Sequence, residues 1–410
     1  MIVIGALVYA VHAISVPAGW APATPPALEP RSPRYAAIGA NGSVAILLAR
    51  TGGTFHGGTR LLIVRANGTR LLLRAPAPEA DQQFGRLAKG WTCRPYTSEC
   101  PYFENVTLAR DGTPFVTVAH SFSGAYSGIR RASFLWNGQW HAIAQERPFS
   151  AAGKPEDPDN TTIAAAESAE RFAYVGDYAD SFPQEDLDLA LRDPHYMADI
   201  SAVQYYSRGT ILGLGNATAM RGNFVAGFDA GLKLVRGDED SVAVLWRCEF
   251  ESATSNYQCS RTQLGSGVAY GVDSRGNVVG DNRSTYNTTG IASSPDRTAR
   301  ASIGFPVLWK SGRPTVLAES TGSAYAISEN GTIVGESYVP EPPKARLSSA
   351  FVANANDRHP AAQPLDLLLR PAASFHVQSA FGITDDGRIL ALVLNNTRAQ
   401  AVAILSPRAL

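Results

Sequence analysis

Residues 267–282 read GVAYGVDSRGNVVGDN, and the phrase returns as GSAYAISENGTIVGES at 322–337 and as QSAFGITDDGRILALV at 378–393. Each copy runs from small and apolar residues through a polar residue and glycine into an aliphatic stretch. Asn330-Gly331 and Asp386-Gly387 are strong hairpin signals, because both residue types tolerate the positive φ of a tight turn. Weaker copies centre on Gly42, Gly112 and Gly222, and another carries Glu170 in the glycine's place. Anchors at 42, 112, 170, 222, 276, 331 and 387 mark a repeat built from one supersecondary unit.

A second phrase follows in most units. Leu135-Trp136, Leu245-Trp246 and Leu308-Trp309 hold equivalent places, each followed by a turn or insertion and a further apolar strand. Four strands per unit and seven units predict an all-β fold, a seven-bladed β-propeller of four-stranded antiparallel blades. The last unit supplies three strands, so an N-terminal strand, PPALEP near Pro26, is expected to complete it and close the ring. The recurring tryptophans are expected to pack within blades. One short helix is expected, after Gln184.

The Ala-(aromatic)-x-Ile/Val-x-x-x-Gly-x-Ile-Val-Gly phrase, followed by LW and a later leucine, resembles the HAF-type extracellular repeat proteins. The likeness is clearest in 267–318 and 322–369 and recognisable in 377–407. It implies an exported propeller-like repeat protein with no well-defined enzymatic role. GVDSRGNVVGDNRS is loosely similar to NHL-type propellers too, but the tryptophan phrases favour the first likeness.

The 410 residues suffice for one propeller with a continuous core. Thirty-six basic residues balance 36 acidic ones, which argues against a nucleic-acid or anionic-membrane partner. The apolar run at 2–13 is too short to span a bilayer stably and fits the core of a secretory signal. The expected division is a leader at 1–25 and one propeller at 26–410, in a monomeric extracellular or periplasmic protein. No cofactor is indicated.

Four cysteines form two local pairs, Cys93 with Cys100 and Cys248 with Cys259, read as disulfides that pin insertions. Neither spacing suits a metal, and no metal site is expected. Nine of the sixteen asparagines lie in N-x-S/T sequons. Asn41, Asn67 and Asn330 precede glycine and read equally as turn residues. Asn105, Asn160, Asn216, Asn282 and Asn287 are the glycosylation candidates if the source is eukaryotic.

The turns between first and second strands are uniformly tight, so that face is expected to offer little. Long segments fall on the opposite face: between-blade links 75–102 and 145–160, and second-to-third loops 177–199, 229–240, 281–303 and 337–348. Binding residues concentrate on such loops. Asp177, Asp229, Asp281 and Glu336 are expected to end the second strands of their blades. At matched depth they would form an arc able to hold a cation or sugar hydroxyls; alternatively they simply begin solvated loops.

His56 and His120 fall in or beside second-to-third loops of neighbouring blades. With Tyr126, Arg130 and Arg131 they could line a pocket for an anionic sugar and abstract a proton beside its carboxylate. Nucleophile-elbow, zinc-protease and P-loop motifs are absent. The leading expectation is a non-enzymatic binding module for a carbohydrate or protein. The alternative is a carbohydrate-active enzyme, a lyase or hydrolase, using the same face.

Overall fold

A glycine with positive φ stands at each expected hairpin turn: Gly42, Gly112, Gly222, Gly276, Gly331 and Gly387. In the copy without glycine, Ser168 Oγ accepts the backbone N–H groups of Glu170 and Arg171 at 3.2 Å. The computed structural model describes residues 8–23, 35–51, 59–76, 101–122, 128–143, 162–177, 202–206, 210–214, 216–229, 242–252, 256–282, 304–339, 347–369, 375–395 and 400–408.

Strand β1 (Val8–Ala13) comes first in the chain but belongs to the last sheet. The first sheet holds β2 (Trp20–Pro22), β3 (Ala36–Ile38), β4 (Val44–Arg50), β5 (Arg60–Val64) and β6 (Arg70–Arg74). The second holds β7 (Tyr102–Leu108), β8 (Pro114–Phe122), β9 (Gly128–Trp136) and β10 (Trp140–Ala142). The third holds β11 (Thr162–Ser168), β12 (Arg171–Asp177), β13 (Ala202–Tyr206) and β14 (Thr210–Leu214). The fourth holds β15 (Asn216–Arg221), β16 (Phe224–Asp229), β17 (Val242–Glu251) and β18 (Asn256–Ser266).

The fifth comprises β19 (Val268–Val272), β20 (Val278–Asp281), β21 (Pro306–Lys310) and β22 (Arg313–Val316). The sixth comprises β23 (Gly322–Ile327), β24 (Thr332–Val339), β25 (Leu347–Asn354) and β26 (Gln363–Pro364). In the last, β27 (Phe375–Ile383), β28 (Ile389–Asn395) and β29 (Gln400–Arg408) are joined by β1. The fold is that of an all-β propeller, built of such antiparallel sheets. Six have the expected four strands. The first has five, because β2 and β3 share one edge of β4: Pro22 is opposite Leu48, and Ala36 is opposite Ile46.

The strand beside β29 corrects the sequence-based expectation. Val8–Ala13 pairs antiparallel with Arg408–Ala403, and Tyr9 is buried in the last sheet's core with Val377, Ala391 and Leu405. The apolar run assigned to the leader therefore supplies a strand, because its alternating Tyr9 and Val11 meet an apolar sheet face. Trp20–Pro22, also within 1–25, is paired as well. The PPALEP segment and the helix expected after Gln184 lie outside the described residues.

Contacts group the strands into two compact units. One comprises Val16–Ala217 and Glu249–Gln258, the other Met1–Ser15, Thr218–Cys248 and Cys259–Leu410. In the first unit, Phe115 and Ala109 of the second sheet pack on Ile163, Ala166 and Tyr174 of the third. In the second unit, Trp309 and Val278 share a cluster with Ala226 and Ala243 of the preceding sheet. Trp246 and Trp309 are each 1 % exposed, the packing role their repetition predicts. Among the described residues no helix is long and apolar enough to cross a membrane.

The repeated glycine before Asp281 and Glu336 has a steric cause. A Cβ on Gly335 would sit 2.1 Å from the carbonyl oxygen of Ser323 in the paired strand. Beside this close approach the first strand carries a β-bulge. Ala324 pairs with Gly335 and Ala326 with Val334, so Tyr325 is the extra residue. Tyr270 and Phe381 are the extra residues at equivalent bulges in β19 and β27. The motif's aromatic position is thus lifted out of the pleat's simple alternation and re-aimed.

Candidate functional site

Register shows which of the expected carboxylates match in depth. Trp246 is opposite Val225 and Trp309 opposite Val278, so Phe228, not Asp229, is the counterpart of Asp281. Asp177 and Glu336 follow the same strand-pairing glycine position as Asp281. The expected arc of four therefore loses Asp229, which ends β16 one residue later and opposite Val242.

Asp281 and Glu336 do not begin solvated loops. Asp281 is fully buried and accepts a 2.7 Å hydrogen bond from Ser323 Oγ in the next sheet. Glu336 is 9 % exposed, and its Oε1 accepts the hydroxyls of Tyr325 at 2.6 Å and Tyr338 at 2.7 Å. Tyr270 stands edge-on to Tyr325 with ring centroids 5.4 Å apart. Half-buried Phe228 and Phe381 pack around this pair. Burial, and then the charge of Glu336, push the Tyr325 phenol well above its ordinary range.

A second polar cluster gathers at the tight turns of four successive sheets, the face expected to offer little. Arg221, just before Gly222, donates from Nε to Glu329 Oε1 at 2.7 Å and from Nη2 to Asp385 Oδ1 at 2.5 Å. Ser274 Oγ donates to Glu329 Oε2 at 2.5 Å, and the Glu329 N–H to Asp385 Oδ1 at 3.3 Å. Each group belongs to a different turn. Sequence reasoning missed this cluster although Ser274, Glu329 and Asp385 occupy the same place in three copies of the phrase. Uniform turn length does not reveal which side chains the turns carry. Beside the cluster, Gly222, Asn223, Phe224, Arg247, Ser274 and Arg275 line a surface groove of about 510 Å³.

The histidine–arginine expectation is placed only in part. His120 is opposite Arg130, and Ala119 opposite Arg131, at the far ends of β8 and β9. His56 and Tyr126 lie outside the described residues, as do Cys93, Cys100, Asn160, Asn287 and most of the long loops. Cys248 and Cys259 are bonded, joining β17 to β18 with Cα atoms 4.0 Å apart. Among the described residues no group of three His, Cys, Asp or Glu is arranged to hold a metal ion.

The sequons separate by environment. Asn41, Asn67 and Asn330 each accept, through Oδ1, the backbone N–H two residues on, at 2.8, 3.0 and 3.2 Å, so the Ser or Thr of the sequon closes an Asx turn. Asn105 is 4 % exposed, and its Nδ2 donates to the Ile163 carbonyl at 2.8 Å. A glycan on that nitrogen would need space that packed protein occupies, so Asn105 leaves the candidate set. Asn216 lies in β15, and Asn282 Oδ1 accepts the Phe305 N–H at 2.7 Å.

No protein-family model matches the chain, and no curated protein matches it. Solved structures do. The β-propeller domain of the Trilobed protease from Pyrococcus furiosus aligns with 10 % identity and a TM-score of 0.42, over 76 % of this chain and 83 % of that one. The acylaminoacyl peptidase of Pyrococcus horikoshii aligns at 10 % identity and TM-score 0.48, over 91 % of this chain and 51 % of its own. A Trypanosoma rangeli sialidase in complex with sialic acid gives 10 % identity and TM-score 0.36, over 91 % and 54 %. The chain thus spans about half the length of the latter two. At this identity the likeness concerns fold.

Proposed function

We propose that this protein is an exported, non-enzymatic β-propeller that binds a carbohydrate or protein ligand through the loop-bearing ends of its blades. One observation carries the reading. The second strands of four sheets end at Asp177, Asp229, Asp281 and Val339, and the third strands begin only at Ala202, Val242, Pro306 and Leu347. First turns are short by contrast, as between Ile327 and Thr332. Within each sheet the variable connections leave from the end opposite the short turn, and variable loops on a fixed frame are the usual way a scaffold carries recognition.

In this reading the ring has seven blades, with β1 completing the last and closing it. The frame belongs with the HAF-type repeat proteins. Export accords with the disulfide between Cys248 and Cys259.

The test is a glycan array run beside capture of protein partners, with reaction products monitored on every hit. Replacing residues 178–201 and 282–305 by short Gly-Ser connections should abolish binding while the far-ultraviolet β-sheet signal persists. Turnover of a bound glycan would replace this reading with the enzyme.

A further inference from the structure

Phe224 and Arg247 stand opposite each other on β16 and β17, so their side chains leave the same face of the fourth sheet. Lower on that face Ala226 and Ala243 share a cluster with Val278 and Trp309 of the fifth sheet, and Phe224 lies against it. Toward the tight turns, Asn223, Phe224 and Arg247 of the fourth sheet and Ser274 and Arg275 of the fifth line the groove of about 510 Å³. That volume is within the roughly 300–1,000 Å³ of small-molecule sites. The lining residues all belong to one compact unit. Asn223, Arg247, Ser274 and Arg275 are exposed, and Phe224 is half-buried.

The fifth sheet's turn departs from its repeats at the residue before the glycine. Asn41, Asp111 and Asn330 hold that place in other copies, and each accepts the backbone N–H two residues on. Here Arg275 holds it, and Asp273 closes the turn instead, its Oδ1 accepting the N–H groups of Arg275 and Asn277 at 3.0 and 2.9 Å. The substituted side chain lines the groove. Its guanidinium is fixed there, because buried Asp273 Oδ2 accepts Nε at 3.0 Å and Nη2 at 2.8 Å while 48 % of the arginine side chain stays exposed. Phe224 is fixed as well. Its ring lies over Gly276, where a Cβ would meet Cε1 and Cζ at 3.1 Å.

Among the described residues that line the groove, two are arginines and none is acidic. Glu329, which accepts Ser274 Oγ beside it, is already paired with Arg221. Guanidinium groups hold a carboxylate through charge-assisted hydrogen bonds in a fixed fork. Asn223 and Ser274 suit hydroxyls, and an aromatic ring suits the apolar C–H face of a pyranose. We propose that this groove binds an acidic sugar, a hexuronic acid residue whose carboxylate meets Arg247 and Arg275 and whose ring lies against Phe224. An inorganic anion would use the arginines and leave Phe224 without a role. The site lies at the tight turns, apart from the loop-bearing ends, and is additional to recognition there.

The experiment is isothermal titration calorimetry on the full chain with glucuronate, galacturonate and trigalacturonate, beside glucose, galactose, inorganic phosphate and a polyglutamate peptide. An acidic sugar should bind, with its neutral counterpart and phosphate weaker by roughly tenfold or more. Arg247→Gln and Arg275→Gln should each weaken binding by roughly tenfold or more, the loss of a charge-assisted hydrogen bond. Arg313→Gln, which removes an equal charge from exposed β22, should leave affinity unchanged. Arg275→Gln also strips buried Asp273 of its ion pair, so if that variant fails to fold, Arg247→Gln decides alone. Silence on every acidic sugar overturns the site, as does equal affinity in wild type and Arg247→Gln. Phosphate or peptide binding as tight as the sugar overturns it too. Shortening residues 178–201 and 282–305 should leave this affinity intact; its loss there would move the acidic sugar to the loops and overturn the groove. Failure of the groove leaves recognition by the loops standing.

Discussion

Arg221 and Asp385, 164 positions apart in the sequence, are joined by a 2.5 Å hydrogen bond from the guanidinium Nη2 to the carboxylate Oδ1. The same guanidinium donates Nε to Glu329, so one side chain from the fourth sheet ties the turns of the sixth and seventh. The pairing is part-buried, with 12 % of Arg221, 24 % of Glu329 and 29 % of Asp385 exposed. It falls between exposed pairs, which contribute little, and buried ones, whose breakage is costly.

Arg221→Ala should therefore lower unfolding stability by about 1–3 kcal/mol, since it leaves two carboxylates facing each other unneutralised. Arg221→Lys should recover only part of this, because an ammonium cannot present Nε and Nη2 in a fixed fork. Urea unfolding midpoints measure both. An alanine variant as stable as wild type would show that the turns are held without this contact.

Tyr325 predicts an alkaline limit to stability. Its phenol is raised well above 10.0 in the folded chain by burial and then by Glu336, so the unfolded chain loses that proton first as pH rises. The contribution is fully present below about pH 10 and is lost as pH climbs toward the folded value. Melting temperature should fall above that point, and Tyr325→Phe should flatten the fall. A residual slope is expected because burial also raises Tyr9. The same variant should cost about 1–3 kcal/mol at neutral pH, where Glu336 loses one of its two phenol donors. An unchanged alkaline profile in Tyr325→Phe would count against the assignment.

The Cys248–Cys259 bond spans a sequence separation of 11. Closing a loop of that order restricts the unfolded chain, so its removal should cost about 2–3 kcal/mol. Comparing wild type with Cys248→Ala/Cys259→Ala by chemical unfolding gives the value directly. No difference would mean that the hairpin is already fixed by its ladder and packing.

Expression in a glycosylating host should leave Asn105 unmodified in the folded protein, because its amide nitrogen is bonded to Ile163 beneath the surface. Peptide mass mapping after enzymatic deglycosylation in heavy water reads occupancy at each sequon. A glycan found on Asn105 of folded protein would contradict the packing of the second and third sheets.

The phrase around Gly276, Gly331 and Gly387 was enough to read the blades, because a hairpin's chemistry is local: turn glycine, Asx acceptor and β-branched run all sit within a few residues. The buried Trp246 and Trp309 were legible for the same reason. The strand that completes the last sheet was not legible, because Val8–Ala13 reads equally as a signal core and as a strand, and only its pairing with Ala403–Arg408 puts it in that sheet. The Arg221 cluster and the Tyr325–Glu336 pair were illegible for another reason. The first depends on which turns meet across sheets and the second on a bulge within one sheet, and neither is encoded in the spacing of one unit. Asp229 shows how sharp that limit is: a one-residue offset removes it from the register that Asp281 and Glu336 share.

The central claim is recognition without chemistry by the loop-bearing ends of the blades. A glycan array on the purified protein, with products followed by mass spectrometry on every bound glycan, tests it most directly. The account predicts binding with no change in any glycan, lost when residues 178–201 and 282–305 are shortened. Release of a cleaved or unsaturated product would contradict it and make the protein an enzyme.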